Sequence, residues 1–160
     1  MTMVTDLGTL NHLTSRILAA AIKVHRVLGP GLLESVYLAC LAYELRRAGL
    51  DIITERRLPV QYEGIRIDCG FRLDVVVCRT VIVEVKAVTT LAPIHEAQVL
   101  TYLKLTGCPA GLLLNFNVPL MKQGIKRLLN PKPGPVYLGE RERGAGTDVE
   151  NSLTDPEESK

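Results

Sequence analysis

Apolar residues recur at helical spacing between residues 12 and 28, where Leu13, Ile17, Ala20, Ala21, Val24 and Leu28 fall on one stripe. Gly29-Pro30-Gly31 ends that run, since glycine and proline both oppose continuation. A second helical pattern covers residues 32–48 through Tyr37, Leu38, Leu41 and Leu45, and stops at Gly49, a natural position for a left-handed helix end. The period then shortens to two. Residues 52–62 and 65–69 read as strands joined at Glu63-Gly64, followed by strands over 70–78 and 81–88. Pro93 opens a third helix that runs to Thr106, with Gly107 just beyond it. Residues 110–116 read as a buried strand and 120–129 as a short basic helix. The pattern predicts an arm over 1–11, one folded domain over 12–138 and a disordered acidic tail over 139–160. Helices, then strands, then a helix and a returning strand make an α/β fold with a mixed sheet, because residues 93–107 are long enough for a crossover.

Charge interrupts this pattern where it is least expected. FRLDVVV and VIVEVKA lie in the most hydrophobic stretch of the chain, yet they carry Asp74, Glu84 and Lys86. An unpaired carboxylate buried in such a strand costs several kcal/mol, so a charge there calls for a use or a partner. Glu84 and Lys86 share a face by strand alternation. Asp74 joins them only in one hairpin register. A three-residue loop, Cys78-Arg79-Thr80, pairs Val77 with Val81 and so sets Asp74 against Glu84. A two-residue loop at Arg79-Thr80 sets Asp74 against Val85 and separates the acids, so the three-residue loop, or an equivalent bulge, is expected. Two carboxylates and a lysine in one pocket can hold a hard divalent cation and offset charge on a phosphate. The competing reading is a plain ion pair of Asp74 or Glu84 with Lys86 or Arg72 on a solvated face.

Four further residues stand near these strands in the pattern. Glu34 lies on the stripe of Tyr37, Leu38, Leu41 and Leu45, where a core residue would stand, so it can join a ligand set; as a first-turn acid it also suits the helix dipole. His25 precedes the Gly-Pro-Gly break and suits either a metal ligand or a satisfied core histidine. Gln98 and Tyr102, one turn apart, form a polar edge that can contact substrate, or a half-buried packing stripe. Arg46, Arg47, Arg56, Arg57, Lys122, Lys126 and Arg127 are available for phosphate contacts and equally suit a solvated surface.

Composition narrows the class. The 160 residues carry a net charge of +2, but residues 1–138 hold 16 bases against 10 acids, and the tail holds seven acids against three bases. A body at +6 suits a polyanionic partner. No run of roughly 18 apolar residues exists for a membrane span. MTMVTDLGTLNH shows neither a basic nor an apolar leader region, so a cytoplasmic home is expected. Cys40, Cys69, Cys78 and Cys108 lie far apart with no CxxC, which argues against a zinc knuckle and for reduced thiols.

The set GPGLLESVY, RLDVVV, IVEVK and HEAQVLTYL resembles the GxxExxY family, a compact branch of the PD-(D/E)XK nuclease superfamily, over roughly residues 12–130. Gly31, Glu34 and Tyr37 carry the name, and Leu73 replaces the superfamily's proline. The resemblance implies a restriction-endonuclease-like αβββαβ core around a four-stranded mixed sheet flanked by helices. It implies Asp74, Glu84 and the Val85 carbonyl as ligands of Mg²⁺, with Mn²⁺ as a substitute, Lys86 as the catalytic lysine and Glu34 as an additional acid. Gln98-x-x-x-Tyr102 is similar to the QxxxY motif of RecB-like nucleases, in which an upstream histidine is a ligand, the role His25 would fill. The function so implied is a metal-dependent nuclease acting on DNA or RNA; because the body is small and shows no separate recognition domain, a homodimer or a protein partner is expected to supply specificity. A catalytically silent nuclease-like binding module and a hydrolase of small phosphoesters are the alternatives.

Overall fold

A computed structural model describes residues 6–139; the side chain of Cys69 is outside the description. The tail expected over 139–160 lies outside the described residues except for Gly139. Helix α1 spans Leu7–Leu28. It starts five residues earlier than the apolar stripe predicts, because the Asp6 side chain accepts the Thr9 N–H at 3.0 Å and caps it. The helix therefore takes in part of the stretch expected as an arm.

Helix α2 spans Glu34–Arg47, and the break before it is held by one side chain. The Tyr37 hydroxyl donates to the Gly29 carbonyl at 2.6 Å and accepts the Leu32 N–H at 3.1 Å. Gly31 takes φ +100 in that turn, a conformation closed to most side chains. The Gly31, Glu34 and Tyr37 spacing is thus a device for starting α2 at a fixed place.

Strands β1 (Ile52–Tyr62), β2 (Ile65–Val77), β3 (Val81–Lys86), β4 (Ala110–Asn115) and β5 (Ile125–Leu129) form one sheet in the order β1-β2-β3-β4-β5. Helix α3 spans Pro93–Thr106 and carries the chain from β3 to β4, which run parallel; the other neighbours are antiparallel. Two expectations are corrected. Residues 65–69 and 70–78 are one strand rather than two, with a register shift opposite Leu58–Val60 absorbing the irregularity at Gly70. Residues 120–129 are a single 3₁₀ turn followed by a strand, not a helix. Among the described residues the sheet therefore has five strands, not four. β4 is buried along its whole length, and β5 satisfies the backbone groups on its outer edge. Gly124 permits the turn into β5, since a Cβ there would collide with the Asn115 carbonyl.

Two cores lie on the two sheet faces. Ile17, Ala21, Tyr37, Leu41 and Leu45 of α1 and α2 pack on Val75, Val77, Val83, Val85 and Leu112. Val99 and Leu103 of α3 pack on Leu73, Val76, Ile82 and Leu113. No helix among the described residues is long and apolar enough to cross a membrane. Cys40, Cys78 and Cys108 are free thiols.

Candidate active site

The β2–β3 hairpin takes the expected register, with Val77 opposite Val81 and Val75 opposite Val83 across Cys78-Arg79-Thr80. Cys78 and Arg79 both turn through positive φ, and Thr80 N–H closes the loop on the Val77 carbonyl. The ladder then ends one rung before Asp74 and Glu84. The acids are gathered by this opening as well as by alternation. On β2, Leu73 and Val76 both belong to the α3-side core although they are three residues apart, so the alternation slips at Asp74–Val75. Across β1 the same level is also unpaired: Thr54 opposes Val75 and Arg56 opposes Leu73, while Glu55 between them has φ +51.

In the mouth so formed, an Asp74 carboxylate oxygen accepts the Val85 N–H at 2.9 Å. Asp74 and Glu84 are each only 5% exposed. Lys86 Nζ stands 3.5 Å from Glu84 Oε1, and Arg72 Nη2 stands 3.9 Å from Asp74 Oδ1. The ion pairs of the competing sequence reading therefore exist, but around buried acids rather than on a solvated face. Glu84 Oε2 is buried with no hydrogen-bond partner among the described residues, and the same is true of Gln98 Oε1 on α3. Two buried acceptors without donors are what a cation or its bound waters would satisfy.

The electrostatics show the same crowding. Burial, and then the neighbouring Asp74, push the Glu84 carboxyl up to about 7, against the pull of Lys86. Asp74 is also raised, first by burial and then by Glu34, although the Val85 N–H, Arg72 and Lys86 oppose the shift. The Tyr102 phenol is raised by burial and then by the charges of Glu84 and Asp74, against the pull of Arg72. Its ring stacks on Phe71 of β2 at 5.0 Å.

Glu34 is solvent-exposed at the first position of α2 rather than inward, and its charge reaches both Asp74 and Glu84 from the rim. His25 is buried, its Nε2 lies 2.8 Å from the Val118 carbonyl, and its ring tilts against Phe116 at 6.5 Å. Those contacts are the ones a satisfied core histidine makes. Among the described residues no three Asp, Glu, His or Cys side chains already form a metal-binding cluster. Two buried carboxylates with an orphaned oxygen nonetheless fit a hard cation that keeps several waters.

Sequence reasoning missed Asn115. Its side chain accepts the Val88 N–H at 3.0 Å and donates to the Val88 carbonyl at 2.9 Å, fixing the chain two residues beyond Lys86. An asparagine closing the apolar run AGLLLN was the signal for it. Of the candidate phosphate contacts, Lys126 pairs with Glu96, and Arg47 lies near Glu44 and over the Tyr43 ring.

Neither a curated protein nor a solved structure matches the chain. A family does: residues 11–128, which include every candidate residue above, match the PD-(D/E)XK nuclease superfamily. With its acids and lysine on the hairpin strands β2 and β3 and a parallel crossover behind them, the chain belongs to the PD-(D/E)XK nuclease superfamily.

Proposed function

We propose that the protein is a divalent-metal-dependent nuclease of the GxxExxY branch, hydrolysing phosphodiester bonds of nucleic acid in the mouth between β2 and β3. The observation that carries this is the orphaned Oε2 of Glu84, a buried acceptor beside Asp74 and Lys86. Asp74, Glu84 and the Val85 carbonyl are the ligands, with Glu34 completing the set from the rim. Mg²⁺ held there, or Mn²⁺ in its place, supplies Lewis-acid charge at the scissile phosphate.

The chain's own residues do the rest. The Val85 N–H holds one Asp74 oxygen while Arg72 lies 3.9 Å from the other, so the carboxylate is held in place without reorganisation. Lys86, held beside Glu84, orients the attacking water and offsets the negative charge that builds on the phosphoryl oxygens. Gln98 and Tyr102 contact the substrate from α3. His25 holds the end of α1 against the segment after β4, and its remaining ring nitrogen is the one open to a ligand role. A cytoplasmic site of action accords with the reduced thiols.

The test is incubation of wild type, Lys86→Ala and Asp74→Ala with single- and double-stranded DNA and RNA in Mg²⁺, Mn²⁺ or EDTA. Wild type cuts at least one substrate with metal, and both variants lose roughly 100-fold or more while keeping the fold. Lys86→Ala cutting at the wild-type rate overturns the assignment. Wild type that binds nucleic acid without cutting it identifies a silent binding module instead.

A further inference from the structure

The β1–β2 pair outruns the sheet. β2 meets β3 only at Val75–Val77, so residues 65–73 have β1 as their sole strand partner among the described residues. From Arg56 to Tyr62 this two-stranded ribbon reaches ~20 Å past the mouth at 3.3 Å per residue. Its two faces differ. Leu58, Val60 and Tyr62 alternate with Arg57 and Gln61 along β1. Arg57 lies directly opposite Arg72, and Gln61 directly opposite Arg66.

Like charges directly opposed across strands destabilise a ribbon. Arg72 is compensated by Glu55 at 3.4 Å and by Asp74, and Arg66 by Asp68 at 2.7 Å. Arg57 is exposed and has no acid against it among the described residues. The arginine row therefore begins beside a candidate metal ligand, Asp74, and further out holds Arg57, which has no acid against it among the described residues. A two-stranded ribbon fits the B-form major groove, about 12 Å wide, and does not fit the deep, narrow major groove of A-form RNA.

We propose that the polar face of the β1–β2 ribbon, through Arg57, Gln61 and Arg66, seats the groove of double-helical DNA and delivers one backbone to the mouth. Arg72 links that row to the cutting centre. This inference rests on the nuclease reading for its substrate class, but its test does not require cleavage.

Fluorescence anisotropy of the full chain in EDTA is measured against one sequence as duplex DNA, single-stranded DNA and duplex RNA, over a salt series. Duplex DNA binds tightest. Arg57→Ala/Arg66→Ala weakens it roughly tenfold and reduces the salt slope by about 2, near 0.9 for each phosphate that is no longer neutralised. Arg57→Lys/Arg66→Lys restores the slope, which a merely misfolded ribbon would not. Unchanged duplex binding in the alanine variant, equal binding of all three nucleic acids, or no binding overturns the inference. So does a change in molecular mass by light scattering in that variant, which would make the ribbon a contact between copies of the chain. Cleavage by wild type with an indifferent ribbon sinks only the ribbon; ribbon-dependent binding without cleavage sinks only the nuclease.

Discussion

Glu84 concentrates the consequences at the residue scale. Its carboxyl is raised from 4.5 to about 7, so the folded, metal-free chain binds a proton that the unfolded chain releases. That contribution is complete below pH 4.5 and is lost as pH rises through about 7. Thermal melts in EDTA should therefore show stability falling between about pH 5 and 8, by on the order of 3 kcal/mol. Glu84→Gln should flatten that slope. Cation binding needs the ionised form, so Mg²⁺ should raise Tm more at pH 8 than at pH 6; equal shifts at both pH values would exclude Glu84 as a ligand. The residue pattern made this side chain visible, because a glutamate set between valines on a short apolar strand is costly unless it binds something. It did not show that Asp74 would lie where the alternation slips. Nothing in RLDVVV marks the slip, which lies level with Glu55, a residue of positive φ on the neighbouring strand.

At the scale of elements, the break between α1 and α2 depends on Tyr37. Its hydroxyl makes two backbone hydrogen bonds, and its ring stacks on Phe116 at 4.7 Å beyond the end of β4. Tyr37→Phe should cost about 1–3 kcal/mol in urea melts, since it leaves a part-buried carbonyl and amide short of their partner. Because Glu34 opens the helix that this ring positions, the same variant should also weaken metal binding by calorimetry. The helices were legible because their stripes and breakers agree. β5 was not: IKRLL carries as much helical as strand character, and only the unpaired edge of β4 decides between them.

For the whole molecule, charge is divided between a body of +6 and a tail from Gly139 that is acidic by four. Removing residues 140–160 should tighten binding to nucleic acid at low ionic strength, with the difference vanishing near 0.5 M salt, where screening is nearly complete over a few Å. Equal affinity for the full and shortened chains at about 20 mM salt would refute a role for that charge. The layered α/β plan was readable from the order of elements, since a helix of 14 residues between apolar strands demands a crossover. The lengths of β1 and β2 were readable too, but not that β3 meets β2 over only three residues, because where a ladder stops leaves no mark in periodicity.

The early end of the hairpin ladder has one more consequence. Val85 offers its amide to a carboxylate where a regular ladder would offer it a carbonyl, so this single backbone proton senses the ionisation of Asp74 directly. In an ¹⁵N-labelled sample its resonance becomes a built-in indicator, moving downfield as Asp74 ionises and responding again when a cation competes for the same oxygens. One peak would thus follow both protons and metal, with no substrate in the tube.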